Sequence, residues 1–180
     1  MSAMKQEYYP HYTYDDYKLW EGDWELIYGI AYAMAPAPMI THQAVSNKIA
    51  WQLQDILKEC EACQALLPID WRVNDETIVQ PDNLVICHEP QQESYITKAP
   101  KIIFEVLSKS TASKDRNLKF DLYEQEGVAY YIMVEPNENT AKVYRLHEGR
   151  YIKVMDAHKD SVEFTLEACG TFSFDFSKIW

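Results

Sequence analysis

The sequence has no long, unbroken apolar segment. An uncharged stretch at residues 28–40 spans only thirteen residues and is interrupted by Pro36 and Pro38, whereas a membrane-spanning helix needs about 20 apolar residues. The first ten residues carry no apolar run behind Lys5, so the pattern of a secretory signal is missing. We therefore expect a soluble, cytoplasmic protein.

The sequence is also poor in patterns that would indicate a disulfide framework or a metal cage. Its four cysteines, Cys60, Cys63, Cys87 and Cys169, have no framework spacing, and we expect them to be reduced thiols. Cys60 and Cys63 form a single C-x-x-C, but a structural zinc site needs a second ligand pair. Adjacent Cys87 and His88 would point to opposite faces of a strand. The five histidines contain no H-x-x-x-H pair, so zinc and histidine-metal sites have little support.

Positive charge is in the minority, with 17 Lys and Arg against 28 Asp and Glu, a net charge of -11 and a pI near 4.8. This balance argues against nonspecific binding to nucleic acid, because phosphate neutralisation dominates such affinity. Six basic residues nevertheless fall within 22 positions around Glu105: Lys98, Lys101, Lys109, Lys114, Arg116 and Lys119. The cluster fits a nuclease site, but an ordinary solvated helix face would look the same.

What the chain does contain is 180 residues with 47% hydrophobic content, enough for one domain over residues 1–180 with its own core. Hydrophobic periodicity and turn residues predict an α/β (α+β) fold. The predicted helices are 13–20, with a capping box at Thr13, then 41–60 and 114–126, the last capped by Ser113 and ended by Gly127. The predicted strands are 24–34, with a turn or bulge at Gly29, then 66–73, 78–87, 101–107, 130–134, 141–146 and 151–154, followed by a hairpin in 162–176.

Two carboxylates lie in apolar strand-like runs. Asp82 follows Pro81 at the start of one run, and Glu105 lies between Phe104 and Val106 in another. A buried ionised carboxylate persists only with a cation, a metal or strong hydrogen-bond donors. On neighbouring strands, Asp82 and Glu105 could converge on one Mg²⁺, with the backbone carbonyl of Val106 completing the protein ligands. The pattern predicts a metal-dependent nuclease, because such a metal polarises a phosphodiester and activates water.

This chemistry also needs a cation near the attacking water. Because side chains alternate along a strand, residue 107 would lie on the same face as Glu105. That residue is leucine, so the cation must come from another part of the chain. Lys119 is the candidate, because it shares a helix face with Asp115 and Tyr123. Glu25, in another apolar run, could orient water or hold a second metal.

Each of these residues also has a simpler explanation. Asp82 could be a turn residue at a strand start, Glu25 could pair with a surface cation, and Lys119 could be a solvated helix lysine. For His42 we favour a position near a carbonyl at a helix N-terminus over a substrate contact. The five tryptophans are expected to pack in the core or at a dimer interface rather than to stack on bases.

Several motifs in order resemble the Uma-type family of proposed endonucleases, within the PD-(D/E)XK restriction-endonuclease-like superfamily. They are Trp24-Glu25-Leu26-Ile27-Tyr28-Gly29, His42-Gln43-Ala44-Val45-Ser46, Val79-Gln80-Pro81-Asp82, Phe104-Glu105-Val106-Leu107-Ser108, and a block from Ser110-Thr111 through Lys119 to Gly127-Val128. The resemblance implies a mixed central β-sheet flanked by helices and active-site roles for Glu25, Asp82, Glu105 and Lys119. The chain departs from the family where an acidic residue is replaced by Tyr28, and where Pro-Glu-Tyr-Trp is replaced by Ala129-Tyr130-Tyr131-Ile132.

Two functional hypotheses follow. The first is an endonuclease that hydrolyses DNA phosphodiester bonds with Mg²⁺, or with Mn²⁺ in its place. The second is a noncatalytic binding or regulatory module on a nuclease-like scaffold, which the acidic composition and the lack of an appended DNA-binding motif favour. A homodimer is expected from symmetry alone, because two-fold assemblies are the commonest.

Overall fold

The computed structural model describes residues 10–34, 39–88, 94–108 and 114–180, with the side chains of 114 and 115 excepted. The helices are α1 (Tyr14–Tyr17), α2 (Ile40–Leu57) and α3 (Lys119–Gln125), and a π-helical turn (Lys114–Leu118) leads into α3. The strands are β1 (Trp24–Ile27), β2 (Ile30–Ala33), β3 (Gln64–Leu66), β4 (Asp70–Asn74), β5 (Thr77–Val79), β6 (Asn83–Ile86), β7 (Tyr95–Ile96), β8 (Ile102–Val106), β9 (Tyr130–Glu135), β10 (Thr140–His147), β11 (Arg150–Ala157), β12 (Ser161–Leu166) and β13 (Gly170–Asp175).

The central sheet has six strands in the order β11-β10-β9-β8-β6-β3. Strands β8 and β9 run parallel, and the other neighbouring pairs run antiparallel. Every residue of β8 is buried, as its continuous Ile-Ile-Phe-Glu-Val sequence requires of a strand covered on both faces. The predicted mixed sheet is therefore confirmed.

Helices cover opposite faces of this sheet. On one face, Ile49 and Leu53 of α2 pack with Phe104 and with the β12–β13 hairpin. On the other face, Leu122 of α3 packs with the core that contains Ile103. Because side chains alternate along a strand, Glu105 points to the α3 face.

A second sheet has five strands in the order β2-β1-β5-β4-β7. Its β1–β2 hairpin turns through Tyr28 and Gly29, which have φ angles of 52° and 76°. Two successive residues with positive φ form the turn type that matches the twist of a two-residue hairpin. A side chain at position 29 would also overlap the ring of His11. The predicted turn at Gly29 is confirmed.

Two predicted strands, 66–73 and 78–87, are wrong as single elements. The first divides into β3 and β4, and the second divides into β5 and β6, with the members of each pair in different sheets. Pro68 and Pro81 lie in the two breaks, and proline has no amide hydrogen to continue a strand ladder. The second break places Asp82 where the chain crosses from one sheet to the other.

The three predicted helices are present, with ends that differ from the prediction by a few residues. Asp16 accepts a hydrogen bond from the backbone nitrogen of Thr13 at 2.9 Å, which confirms the capping interaction of α1. Gly127, with a φ of 78°, follows α3 as expected, whereas Ser113 lies outside the described residues. The short strand β7 was not predicted from the sequence. The C-terminal hairpins are confirmed.

The expectation of four thiols is wrong for this structure. Disulfides join Cys60 to Cys169 and Cys63 to Cys87. The first pair is 109 residues apart in sequence, so local spacing could not show that these residues meet. Among the described residues, no helix combines the length and apolarity needed to cross a bilayer.

Candidate active site

Lys119 lies between two buried glutamates. Its Nζ is 2.7 Å from Oε1 of Glu25 and 2.8 Å from Oε1 of Glu105. The three side chains are between 0% and 4% exposed. Charged groups this deeply buried are normally paired, and one ammonium here neutralises part of the charge of two carboxylates.

Three different elements bring these groups together. Glu25 comes from β1 of the second sheet, Glu105 from β8 of the central sheet, and Lys119 from the first turn of α3. Oε1 of Glu25 also accepts a hydrogen bond from the backbone nitrogen of Gln80 at 2.9 Å. One turn along α3, the hydroxyl of Tyr123 donates to Oε1 of Glu105 at 2.7 Å. The cluster therefore ties both sheets and α3 at one point.

Asp82 lies beside this cluster, just before β6. The register pairs Asn83 with Phe104, so Asp82 precedes the strand at the level of Glu105. Oδ2 of Asp82 accepts a hydrogen bond from the backbone nitrogen of Val106 at 2.7 Å. Asp82 is 19% exposed, so the site can be reached from this side.

His42, together with Asp82, forms the partly exposed side of the site. Its Nε2 is 3.2 Å from Oδ2 of Asp82, and the imidazole is 18% exposed. One turn later on α2, Ser46 donates to Oδ1 of Asn83 at 2.9 Å, and the Asn83 amide donates to the Ser46 carbonyl at 3.2 Å. The start of α2 is thus fixed against Asp82 and Asn83.

A hydrogen-bond network of polar side chains connects Glu25 to Asp70. Asp70 accepts hydrogen bonds from the hydroxyl of Tyr17 at 2.9 Å and from the side-chain amide of Gln80 at 3.1 Å. Burial raises the pKa of Asp70, the two donors partly offset this, and the negative charge of Glu25 adds to the increase. Gln80 therefore links Asp70 to Glu25, through its side chain on one side and its backbone on the other.

The pKa of Tyr123 is raised well above its usual value, first by burial and then by the charge of Glu105, although Lys119 opposes the shift. The phenol consequently stays protonated at neutral pH and keeps donating to Glu105. This fixes the orientation of one Glu105 oxygen.

The donor set fits a hard divalent cation. Glu25 and Glu105 share the ammonium of Lys119, and Asp82 lies beside Glu105 just before β6. These three carboxylates and one ammonium together leave a formal excess of two negative charges. Carboxylate oxygens are the ligands that Mg²⁺ prefers, and Mg²⁺ commonly binds one or two of them and keeps water on its other positions. Among the described residues no group of three acidic or histidine ligand atoms clusters here, so backbone, water or substrate oxygens would complete the coordination.

Comparisons with known proteins show the family and the fold. The model of the family described as "Uma2: Putative restriction endonuclease" matches residues 14–173. The chain belongs to this family. A similar solved structure is "a putative nuclease belonging to DUF820 from Anabaena variabilis ATCC 29413", with 17% sequence identity and a TM-score of 0.74. That match covers 93% of this chain and 96% of the other, and it shows that the fold is shared. Among curated proteins there is no match.

In this Uma2 chain, the simpler explanations for Glu25 and Lys119 are wrong. Glu25 is fully buried rather than paired at the surface, and Lys119 is 2% exposed rather than solvated. Tyr123 shares the inner face of α3 with Lys119, as predicted, while the side chain of Asp115 is outside the described part. The contact between His42 and Asp82 was not predicted from the sequence. The one available signal was that His42 and Ser46 lie four residues apart, as neighbours on one helix face do.

The basic cluster of this Uma2 chain is dispersed. Lys119 enters the site, Arg116 pairs with Glu135 at 2.8 Å, and Lys98 and Lys101 are exposed. The structure does not describe Lys109 or the side chain of Lys114. For the described members, proximity in sequence therefore does not produce a single basic surface.

One departure from the family pattern, at Tyr130, makes specific contacts in the structure. Tyr130 occupies the position of the motif's glutamate, and its hydroxyl accepts a hydrogen bond from the backbone nitrogen of Thr165 at 3.1 Å. Its ring packs edge-on against Phe164 with centroids 4.9 Å apart. In this chain the position connects β9 to the C-terminal hairpin.

Proposed function

We propose that this protein is a divalent-metal-dependent endonuclease that hydrolyses DNA phosphodiester bonds, with Mg²⁺ as its cofactor and Mn²⁺ as a substitute. The observation that carries the proposal is the buried Glu25–Lys119–Glu105 cluster with Asp82 beside it. Burying three charged side chains costs free energy that a hydrophobic core would avoid. A catalytic role gives these charges a chemical reason.

Asp82 and Glu105, together with the carbonyl of Val106, are the proposed metal ligands. A divalent ion bound there would polarise the phosphodiester and lower the pKa of its bound water. The backbone nitrogen of Val106 already fixes Oδ2 of Asp82, and Tyr123 fixes Oε1 of Glu105. Both carboxylates are therefore oriented before any ligand arrives, which lowers the cost of binding.

Lys119 is the proposed donor that positions the attacking water. Its ammonium is held by two carboxylates at 2.7 and 2.8 Å, so it has little freedom to turn away. Glu25 assists by holding Lys119, and Glu25 is itself fixed by the backbone nitrogen of Gln80.

DNA as the substrate is supported by the family, whose description names restriction endonucleases. The net charge of -11 predicts weak attraction to a phosphate backbone in the absence of metal, because binding of that kind depends on phosphate neutralisation. We therefore expect DNA binding to depend strongly on the divalent cation.

The second candidate is a noncatalytic binding or regulatory module on the same scaffold. The acidic composition favours it. Under this hypothesis the polar cluster binds no divalent cation, so the two candidates differ in one measurable property.

Calorimetric titration of Mg²⁺ and Mn²⁺ tests the proposal, followed by cleavage assays on supercoiled, linear and single-stranded DNA. Asp82→Asn and Glu105→Gln keep the shapes of the two side chains and remove their charges. Glu124→Gln is the matched control, since Glu124 is also on α3 but pairs with Arg150 at 2.8 Å, outside the cluster.

We expect metal binding and cleavage by the wild type and by Glu124→Gln, with both lost in Asp82→Asn and Glu105→Gln. Cleavage retained in Glu105→Gln would refute the site assignment. A wild-type protein that binds no metal with or without DNA, and that cuts none of the three substrates, would favour the noncatalytic module.

A further inference from the structure

A second group of metal-ligand side chains lies away from the acidic cluster. The Sγ atoms of Cys60, Cys63 and Cys169 all lie within 4.8 Å of one another, and Cys87 is bonded to Cys63. Four thiolates around one tetrahedral Zn²⁺ lie about 3.8 Å apart, given Zn–S bonds of about 2.3 Å. We propose that these four residues, the cysteine cluster, bind one Zn²⁺ when their sulfurs are reduced.

The cysteine cluster draws its sulfurs from three separate segments, because Cys60 and Cys63 both lie in the connection between α2 and β3. Cys60 follows α2, Cys63 precedes β3, Cys87 follows β6, and Cys169 lies in the turn between β12 and β13. Two disulfides require only that the two cysteines of each pair be in contact, and the two pairs could lie far from each other. The structure brings both pairs to one place, with Cys60, Cys63 and Cys169 mutually close, which is the arrangement that a single ion requires.

The chemistry of the donors selects the metal class. Four sulfur ligands in tetrahedral geometry are typical of Zn²⁺, whereas Mg²⁺ binds oxygen. Cys60 and Cys63 have the C-x-x-C spacing that supplies two ligands from one short segment. Cys87 and Cys169 provide the second ligand pair, which sequence spacing alone did not reveal.

The cysteine cluster is separate from the proposed catalytic cluster. Asp82 precedes β6 and Cys87 follows it, so the two residues are about 16 Å apart along an extended strand. The role of a metal here is structural. It would join the end of α2 and two strands of the central sheet to the C-terminal hairpin.

The disulfide and zinc forms exclude each other. Each disulfide takes up two electrons and two protons from a thiol reductant, which is oxidised to its own disulfide. Binding of Zn²⁺ then releases the four thiol protons and leaves four metal–thiolate bonds. A disulfide-forming oxidant would reverse these steps and release the metal.

Cobalt(II) titration of the 180-residue chain, reduced with a phosphine, tests the proposal. One equivalent of Co²⁺ should give thiolate-to-cobalt charge transfer in the near ultraviolet and intense tetrahedral bands in the visible, and Zn²⁺ should abolish both. The charge-transfer band reports sulfur ligands, so it distinguishes this site from carboxylates, and its outcome does not depend on nuclease activity.

Cys169→Ser removes a ligand from a partly exposed turn without opening the core, and Cys63→Ser removes the buried ligand. Both variants should lose the charge-transfer intensity of the four-thiolate complex and bind Zn²⁺ more weakly by at least tenfold. Thr171→Ala, on the exposed face of the same hairpin, should bind as the wild type does. Zinc should also raise the Tm of the reduced wild type but not that of Cys169→Ser.

The proposal is overturned if the reduced protein, with four thiols reacting with a thiol reagent after unfolding, gives no thiolate-to-cobalt band. It is equally overturned if Cys169→Ser and the wild type bind Zn²⁺ with equal affinity, or if the protein carrying both disulfides binds it as tightly as the reduced protein.

Discussion

The ammonium of Lys119 lies 2.8 Å from Oε1 of Glu105, and the two side chains are only 3% and 4% exposed. One residue begins a helix, the other is in the middle of a strand, and Glu25 holds the same ammonium from a second sheet. The pair thus connects the stability of the fold to the chemistry proposed for it.

Replacing Lys119 with methionine should destabilise the protein strongly. The change keeps the approximate volume but leaves Glu25 and Glu105 as buried charges without their cation, which costs about 3–5 kcal/mol. Urea denaturation at neutral pH measures the loss as a change in the free energy of unfolding. The control is Lys142→Met, because Lys142 pairs with Glu135 at 2.9 Å but is 30% exposed. That pair should be worth about 1 kcal/mol or less, and equal losses in the two variants would contradict the prediction.

Neutralising the whole cluster should recover the stability that Lys119→Met loses. In the triple variant Glu25→Gln, Glu105→Gln and Lys119→Met, no buried charge remains unpaired, and replaced ion clusters of this kind are often neutral or stabilising by about 1–4 kcal/mol relative to wild type. Urea denaturation and DNA cleavage should be measured on the same preparations. We expect a stable and inactive protein. A triple variant as unstable as Lys119→Met would show that the ion pairs are needed for folding.

His42 should act on metal binding through Asp82. Removing the imidazole in His42→Ala should weaken metal affinity and cleavage by about 10–100-fold, the usual effect of losing a group that orients a ligand. His42→Gln, which can still donate to Asp82, should recover part of this loss. His158→Ala is the control, since His158 contacts Thr140 and the carbonyl of Asn139 instead. Equal affinity in His42→Ala and wild type would exclude the positioning role.

Asp70 should make the stability depend on pH. Burial raises its pKa in the folded protein, so its ionised form costs stability at neutral pH, whereas below the unfolded pKa of about 3.9 it is protonated in both states and costs nothing. Asp70→Asn removes this cost and can keep both hydrogen bonds if the amide of Gln80 rotates. The stability of the variant relative to wild type should therefore rise as the pH increases from about 4 to 7, where acidic side chains titrate. Urea denaturation of both proteins at several pH values measures the difference in their free energies of unfolding. A difference that is constant or falls with pH would contradict the prediction.

Much of the fold could be predicted because it depends on local patterns. The apolar run around Glu105 forms β8, and the residues with helical spacing, Val45, Ile49 and Leu53, lie on α2. Gly29 forms part of a turn, because glycine readily adopts the positive φ that the turn requires. The partition of strands between two sheets was not predicted. Pro81 interrupts the apolar run in 78–87, but which sheet each half joins depends on contacts with strands that are distant in sequence. Location in the cell, a single domain and a homodimer stay predictions.

For the candidate site, the sequence by itself determined that Asp82 and Glu105 are charged residues in apolar surroundings, because burial of a carboxylate demands a partner wherever that partner lies. Tertiary structure alone decided which partners they have. Glu25 meets Lys119 across 94 positions of sequence, His42 meets Asp82, and the two cysteine pairs lie together. Such contacts depend on how sheets and helices pack, and no local spacing contains that information.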